Sequence, residues 1–356
     1  MNHRLCFVIA CWLAAGLSAE VAGQTYDRQM RERVDSVLAA RYVRTPYDTN
    51  YVVRPGILKS GNGDADDGAY GFKGVTLKGL TLKVRFNQTG NSIHAKGTVN
   101  DIYSKADLRT NFKTTFAIAA IYRGIGVGLA INPAKWKGAY KDYELNLNFY
   151  SSRLSLDASY QRSESLAGDI NGDRGAQHMN AGDVSMKVLN LAGYYTFNHR
   201  RFSYPAAFTQ SYIQRRSAGS WLAGISYQGG SIETTEQLKE RSENAPNVRI
   251  YLGHVGIGGG YGYNWVLGRK WLLHFSILPT FVVFNRNNMT VNGERKKAQH
   301  MRFNMLFNER AAVVYNFSPR HFAGLTFVMN NSIFDDEAVV VNQNKWRLRA
   351  FVGVRL

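Results

Sequence analysis

The sequence predicts an all-β fold: a transmembrane antiparallel β-barrel of about twelve strands, preceded by a short helical or irregular N-terminal segment. Three features predict it: an export signal, strict two-residue alternation of apolar and polar residues, and short connections that alternate with long ones. A soluble β-sandwich shares the 13% aromatic content and the slightly negative mean hydropathy. The prediction therefore depends on residue order, not on composition.

The first 23 residues have the layout of a secretory signal peptide. A single Arg4 precedes an apolar stretch from Leu5 to Leu17, and small residues at Ser18-Ala19 and Ala22-Gly23 supply cleavage sites. This stretch is too short to cross a bilayer, which needs about 20 residues. We expect residues 24–79 to form a periplasmic segment and residues 80–356 to form the barrel of a bacterial outer-membrane protein.

Both cysteines, Cys6 and Cys11, lie inside the predicted signal peptide. The mature chain is therefore expected to contain no thiol. That excludes disulfides and cysteine-ligated metals from the barrel. No His pair stands at metal-ligand spacing with a carboxylate either, so the sequence predicts no metal site and no cofactor.

Many segments after residue 80 alternate with a period of two, as a strand does when one face meets lipid and the other meets water. In the last of them, apolar residues at even positions from Trp346 to Leu356 alternate with Arg347, Arg349 and Arg355. The predicted strands are 80–88, 112–122, 124–131, 143–150, 153–162, 184–198, 217–229, 249–265, 271–285, 300–316, 320–332 and 345–356.

The predicted connections alternate in length. Short ones fall at 123, 151–152, 266–270 and 317–319, and long ones at 89–111, 132–142, 163–183, 230–248, 286–299 and 333–344. Short periplasmic turns and long external loops are typical of outer-membrane barrels. Residues 199–216 are too long for such a turn, so we expect a segment folded inward or a partial extra strand pair there.

Aromatic residues are predicted at both membrane interfaces, where amphipathic rings settle at the level of the lipid headgroups. The periplasmic set comprises Tyr122, Phe149, Phe197, Trp265, Trp271 and Phe317, and the external set comprises Tyr143, Tyr160, Tyr227 and Trp346. Outer-membrane lipid and lipopolysaccharide are therefore expected partners. The apolar residue that ends the last strand resembles the signal read by the barrel-assembly machinery, which makes that machinery another expected partner.

Two stretches carry a resemblance to a known family. They are Tyr122 to Gly128, followed by Asn132-Pro133, and Phe202 to Gln210, continuing to Ser217 to Ser220. The chain resembles an uncharacterised family of outer-membrane barrels from Bacteroidetes-type bacteria, domain of unknown function 4421, over most of residues 40–356. The resemblance implies a fold and a location, and it supplies no catalytic residue.

The charge balance is the main functional signal, with a formal net charge of +18. The lumen-facing positions are predicted to carry the basic residues Lys83, Arg85, Arg302, Arg310, Arg347, Arg349 and Arg355, and the acidic residues Glu144 and Asp157. Closure of the barrel places much of this basic set on one wall, opposite the acids. A basic wall favours anions, but an internal ion-pair network that fills a narrow barrel is the alternative. Nucleic acid is excluded as a partner by the compartment.

One pattern invites a catalytic interpretation. An outer-membrane phospholipase with a twelve-stranded barrel has His and Ser two residues apart on one strand, and His274 and Ser276 have this spacing. A serine nucleophile needs an adjacent base and a third group that orients it. The sequence offers no clear third group, and these two side chains are predicted to face the lumen instead of lipid. We therefore expect no catalytic residues.

The sequence predicts a passive, anion-preferring pore for small solutes. A non-conducting structural barrel, or one that binds lipids or other partners, is the alternative, and an outer-membrane lipid hydrolase is the third hypothesis. The solute, the state of the lumen and the oligomeric state are not predicted.

Overall fold

A computed structural model describes residues 48, 50–53, 80–99, 102–122, 125–131, 142–173, 175–241, 247–268, 270–297, 301–336 and 339–356. The chain divides into two units, Met1–Pro46 and Tyr47–Leu356, and all of these residues belong to the second. The predicted signal peptide and most of the predicted periplasmic segment 24–79 lie outside the described residues, so those boundaries stay predictions.

The described residues form nineteen strands and two short helices. The strands are β1 (Val52–Val53), β2 (Leu80–Val99), β3 (Ile102–Thr110), β4 (Lys113–Tyr122), β5 (Ile125–Ile131), β6 (Tyr143–Tyr150), β7 (Leu154–Ser163), β8 (Leu166–Gly172), β9 (Gly175–Met179), β10 (Val184–Thr196), β11 (Ile213–Gln214), β12 (Ala218–Thr234), β13 (Val248–Leu267), β14 (Trp271–Asn285), β15 (Asn288–Val291), β16 (Glu294–Lys297), β17 (Met301–Asn316), β18 (His321–Asp336) and β19 (Val339–Arg355). The helices are α1 (Tyr204–Phe208) and α2 (Glu236–Arg241).

Twelve of the described strands close into an antiparallel barrel. Their order around the wall is β2, β4, β5, β6, β7, β10, β12, β13, β14, β17, β18 and β19, and β19 pairs with β2 to complete the circuit. The predicted number of strands and the predicted barrel are therefore confirmed. The shortest of these ladders joins β5 to β6 through one described pair, Ile125 with Phe149.

The barrel wall has the predicted two-residue period. Along β4, exposed side chains such as Phe116 and Ile118 alternate with the buried Ala117, Ala119 and Ile121. Large apolar side chains on the other barrel strands are likewise exposed on the outside, including Leu145, Trp221 and Ile257. An exposed apolar band of this kind is unfavourable in water and is expected where lipid surrounds the barrel. No described helix is long and apolar enough to cross a membrane.

The predicted long loops are wrong in part, because several of them are strands. β2 continues past the predicted end at residue 88 and pairs there with β3, β3 pairs with β8, and β8 pairs with β9; β15 and β16 form a hairpin that joins the wall because β15 pairs with β13. The extension of β2 and the strands β3, β8 and β9 pack on a small core that includes Ile93, Leu108, Leu166 and Met186. Their outer faces carry polar residues, so they lack the lipid-facing apolar period that identified the other strands.

The turns at one end of the barrel are short, except for the long connection between β10 and β12. Residues 197–217, here called the inward segment, fold into the lumen and include α1 and β11, and β11 pairs with β1. Ser203 caps α1 by accepting a hydrogen bond from the Ala206 amide at 3.3 Å. The predicted inward fold and the partial strand pair are both present.

Candidate functional site

A cavity lies in the lumen next to the inward segment. It is lined mostly by polar residues of the barrel wall, with Phe208 and Thr209 of the inward segment at one side. The charged lining residues are Lys83, Arg85, Asp157, Arg310, Lys345, Arg347 and Arg349. Six of these seven side chains are cationic, so the lining of the cavity has more basic than acidic residues.

The closing ladder between β2 and β19 explains why the cations lie together. Lumen-facing residues on β2 include Lys83 and Arg85, and the register places Gly353 opposite Lys83 and Phe351 opposite Arg85. Arg349 lies opposite Asn87, and its Nε donates a hydrogen bond to the Asn87 Oδ1 at 2.8 Å. The basic residues of both strands therefore line one wall, as their parity predicts, while their role in a pore stays a prediction.

Two of the cations near the predicted acid Glu144 are paired with it. The Glu144 carboxylate lies 3.1 Å from the Lys345 Nζ and 3.2 Å from the Arg347 Nη2. Arg347 also donates to the Asn146 Oδ1 at 2.5 Å. Lys345 was not among the predicted site residues because it lies beside a stretch that was predicted to be a long loop.

The second predicted acid, Asp157, forms an ion pair with Arg310 deep in the barrel. Arg310 is 3% exposed, and it donates hydrogen bonds to the hydroxyls of Tyr150 and Tyr194 as well. Asp157 also accepts hydrogen bonds from the Tyr150 hydroxyl, at 2.5 Å, and from Asn148. This cluster therefore neutralises one cation of the lining.

Three lining cations, Lys83, Arg85 and Arg349, belong to neither of these ion-paired groups within the described residues. Within the part of the chain that the structure describes, the ion pairs formed include none between a carboxylate and Lys83, Arg85 or Arg349. The Arg85 Nε is buried without a hydrogen-bond partner there. Buried charges are normally paired because removal from water is costly, so these three positions are the candidate anion site of the cavity.

Another predicted basic residue, Arg355, lies outside the lining of the cavity. Arg355 is 1% exposed and sits beside the inward segment, where its Nε donates to the Gln210 carbonyl at 2.5 Å. Its guanidinium also donates to the Pro319 carbonyl and to Asn316, both at 2.9 Å. Arg302 belongs to β17, but its side chain lies outside the described residues.

The structure supplies the third group that the sequence did not reveal beside His274 and Ser276. The Asn264 Oδ1 lies 2.7 Å from the His274 Nδ1, and the Ser276 Oγ lies 2.9 Å from the His274 Nε2. The Asn264 amide donates to the Ser203 carbonyl at 3.1 Å and to the Gln214 Oε1 at 3.2 Å. Its oxygen must therefore accept the His274 Nδ1 proton, which leaves the Nε2 to accept from Ser276.

Asn264, His274 and Ser276 stand in the order that a serine nucleophile requires. Their burial and their contacts instead indicate a role in holding the inward segment. Asn264, His274 and Ser276 are at most 3% exposed and face the lumen. The His274 ring contacts the rings of Tyr204 and Phe208, with centroids 5.2 and 5.0 Å apart. Burial raises the pKa of the Tyr204 phenol, which therefore stays protonated in this contact. The hydrogen-bonded chain of Asn264, His274 and Ser276 therefore helps to hold the inward segment against the barrel wall.

The match to a protein family decides what kind of chain this is. The model of the family described as Domain of unknown function (DUF4421) matches residues 76–356, which cover the whole described barrel. The chain belongs to this family. The resemblance predicted from the sequence is therefore confirmed for the DUF4421 barrel. No curated protein matches the chain in sequence.

Solved structures with a likeness to this DUF4421 chain include several outer-membrane proteins. The outer membrane protease OmpT from Escherichia coli matches with 9% identity and a TM-score of 0.35, covering 80% of this chain and 99% of its own. The beta domain of the Bordetella autotransporter BrkA matches with 11% identity and a TM-score of 0.33, covering 77% and 100%. OprG from Pseudomonas aeruginosa matches with 9% identity and a TM-score of 0.27, covering 78% and 95%. These values assign no activity to the DUF4421 barrel.

Proposed function

We propose that this DUF4421 protein is a bacterial outer-membrane barrel that takes small anionic solutes into its lumen and prefers anions when it conducts. The observation that carries the proposal is the group of three lining cations, Lys83, Arg85 and Arg349, for which no described carboxylate is a partner. Rings or walls of Arg and Lys select anions in pores. Small carboxylates and phosphates suit the planar fork of arginine.

The orientation follows from the turns and the aromatic rings. Short turns join β4 to β5, β6 to β7, β13 to β14 and β17 to β18 at one end, and this end faces the periplasm in outer-membrane barrels. Exposed rings of Tyr122, Trp265 and Trp271 lie near these turns, and exposed Tyr143 and Tyr227 lie towards the other end. Outer-membrane lipid and lipopolysaccharide are the partners of the outward face, and the barrel-assembly machinery is the proposed partner of β19.

The inward segment means that the proposed pore is closed on the periplasmic side at rest. Phe202, Tyr204 and Phe208 are at most 7% exposed and pack with the barrel wall in one apolar core. A solute in the cavity therefore meets this segment before it reaches the periplasm. The same core supports the alternative function, a non-conducting barrel whose interior is a permanent filling.

Conductance in a planar bilayer separates the two functions. We expect the refolded barrel without residues 1–23 to insert and to conduct rarely. A variant with residues 199–216 replaced by a short Gly-Ser turn is expected to conduct steadily, with a reversal potential that shows anion preference under a salt gradient. In that variant, Arg85→Gln with Arg349→Gln is expected to reduce the preference severalfold.

The matched control is Arg153→Gln with Arg320→Gln, which removes the same charge from exposed positions at the short turns. Loss of preference in both pairs would mean that net charge acts, not the cavity, and would overturn the proposal. A shortened barrel that is inserted and silent would also overturn it and would favour the non-conducting function.

A further inference from the structure

Lys83 belongs to the cavity and to the contact that holds the inward segment. Its ammonium lines the cavity and donates hydrogen bonds to the Phe208 carbonyl, at 3.2 Å, and to the Gln210 Oε1, at 2.7 Å. Lys83 is 3% exposed, and its Nζ lies 5.4 Å from the centroid of the Phe351 ring. The buried Lys83 amino group is thus held by two neutral acceptors.

The neutral acceptors on Phe208 and Gln210 bind the Lys83 ammonium less strongly than an anion would. A carboxylate or phosphate adds the attraction between opposite charges to its hydrogen bond with an ammonium, and a neutral carbonyl or amide oxygen lacks this attraction. Arg85 lies two residues along β2 and Arg349 lies on the neighbouring β19, so the charge near Lys83 attracts an oxyanion into the same part of the cavity. An oxyanion seated there offers Lys83 a better partner than Phe208 and Gln210 do.

The tip of the inward segment depends on this cation. Gln210 has a φ of +56°, in the left-handed region that a side chain of L configuration disfavours. It is fully buried, and its side-chain amide donates to the Ala207 carbonyl at 2.5 Å. Such a conformation persists only where surrounding contacts hold it, and here Lys83 and Arg355 supply contacts to its oxygen atoms.

We propose that an oxyanion in the cavity, a small carboxylate or phosphate, draws Lys83 away from Phe208 and Gln210 and so loosens the inward segment. The solute therefore opens its own path on the periplasmic side. Because coupling between two sites is reciprocal, displacement of the segment tightens binding of the oxyanion. This inference rests on the proposed function, since it requires the cavity to bind an anion.

A single cysteine at residue 209 reports the state of the segment. Thr209 is 5% exposed at the segment tip, and the barrel residues 80–356 contain no cysteine of their own. In refolded Thr209→Cys protein without residues 1–23, we expect slow modification by a water-soluble thiol reagent. Succinate or inorganic phosphate, tested separately, is expected to raise the rate at least fivefold over chloride at equal ionic strength. If only succinate raises the modification rate, the solute is a carboxylate, and if only phosphate raises it, the solute is a phosphate.

Two further variants tie the effect to the proposed contacts. With Lys83→Gln, residue 209 is expected to react fast without an oxyanion and to gain little from one. With Arg349→Gln, it is expected to react slowly in all buffers, because the anion is lost while the Lys83 contact remains. A cysteine at Ser152, in the short turn between β6 and β7, controls for effects of the salts on the reagent.

Calorimetric titration of the same Thr209→Cys protein measures oxyanion binding independently. Binding without any change in the modification rate would overturn the coupling and leave the proposed function intact. Absence of binding would overturn both. A Lys83→Gln protein that stays as protected and as responsive as its parent would show that Lys83 is not the link.

Discussion

The lumen contains two kinds of buried cation, and single substitutions distinguish them. Arg310 is compensated by Asp157 and by tyrosine hydroxyls, whereas Lys83 is held by a carbonyl and an amide oxygen. Removal of one member of a buried pair leaves the other charge without compensation, which costs more than the pair itself contributes. The paired cluster is therefore assigned to stability, and we propose that Lys83, Arg85 and Arg349 bind the anion.

Asp157→Asn is expected to lower the free energy of unfolding by about 3 kcal/mol, because Arg310 then stays buried without a carboxylate. Urea unfolding in lipid vesicles, followed by tryptophan fluorescence, measures the change. Asp169→Asn is the control, because the Asp169 side chain is 61% exposed and its loss is expected to change stability by less than about 0.5 kcal/mol. Equal effects of the two substitutions would contradict the role of the buried pair.

The relay of Asn264, His274 and Ser276 gives a prediction about reactivity. Ser276 is 2% exposed on the lumen side, among aromatic rings of the inward segment. We therefore expect no labelling of the intact barrel by a fluorophosphonate and no lipid hydrolysis that Ser276→Ala abolishes. Labelling that is lost in Ser276→Ala and kept in Ser152→Ala would restore the hydrolase hypothesis.

At the scale of elements, a polar contact ties three strands together at the long-loop end of the barrel. Asp142, just before β6, lies 3.3 Å from the Lys113 Nζ at the start of β4. It also accepts from the Glu164 amide at 2.6 Å and from the Ser165 hydroxyl at 2.5 Å, between β7 and β8. Burial alone would raise the pKa of Asp142, but the Ser165, Lys113 and Glu164 contacts together hold it below its usual value.

This contact predicts a pH dependence in acid. Because the pKa is lower in the folded chain than in the unfolded chain, the contribution to stability is complete above the ordinary aspartate pKa of about 4. It is lost as the pH falls through the lower folded-state value. We expect Asp142→Asn to unfold at a lower urea concentration than the wild type at pH 6, and the gap to close towards pH 3. A gap that is constant over this range would contradict the prediction.

The sequence predicts the membrane-spanning strands of the barrel but not the shorter strands beyond them, for a physical reason. Lipid imposes a period of two on every spanning strand, so segments such as β6 and β14 are visible in the sequence. Above the lipid this constraint ends, and β3 and β8 pack on a local core with polar outer faces. The sequence placed Lys83 and Arg349 on one wall through strand parity and closure.

Other parts of the site depend on contacts that no local pattern carries. Asn264 meets His274 across the hairpin of β13 and β14, and the sequence gives no spacing rule for this pair. The excess length of residues 199–216 indicated that they form no ordinary turn. The contact of Lys83 with Phe208 and Gln210 is visible only once the segment is folded into the lumen.

At the scale of the whole molecule, the described barrel has one weak seam. β5 and β6 are joined by a single described pair, while β12 and β13 are joined along most of their length. Hydrogen exchange measured by mass spectrometry is expected to be faster in peptides from 125–131 and 143–150 than in peptides from 218–234 and 248–267. Equal protection of both regions would show that the seam is closed in the membrane.

The ladder between β2 and β19 also has a consequence for how the molecule is made. It pairs Thr81 with Arg355 and Gly97 with Val339, so it joins the first and the last strands of the barrel. Until residues 339–355 have emerged, β2 and β18 each present a row of unpaired amides and carbonyls. Such edges aggregate in water and are costly in lipid. We therefore expect an incomplete chain to need a chaperone that covers both edges until the barrel closes.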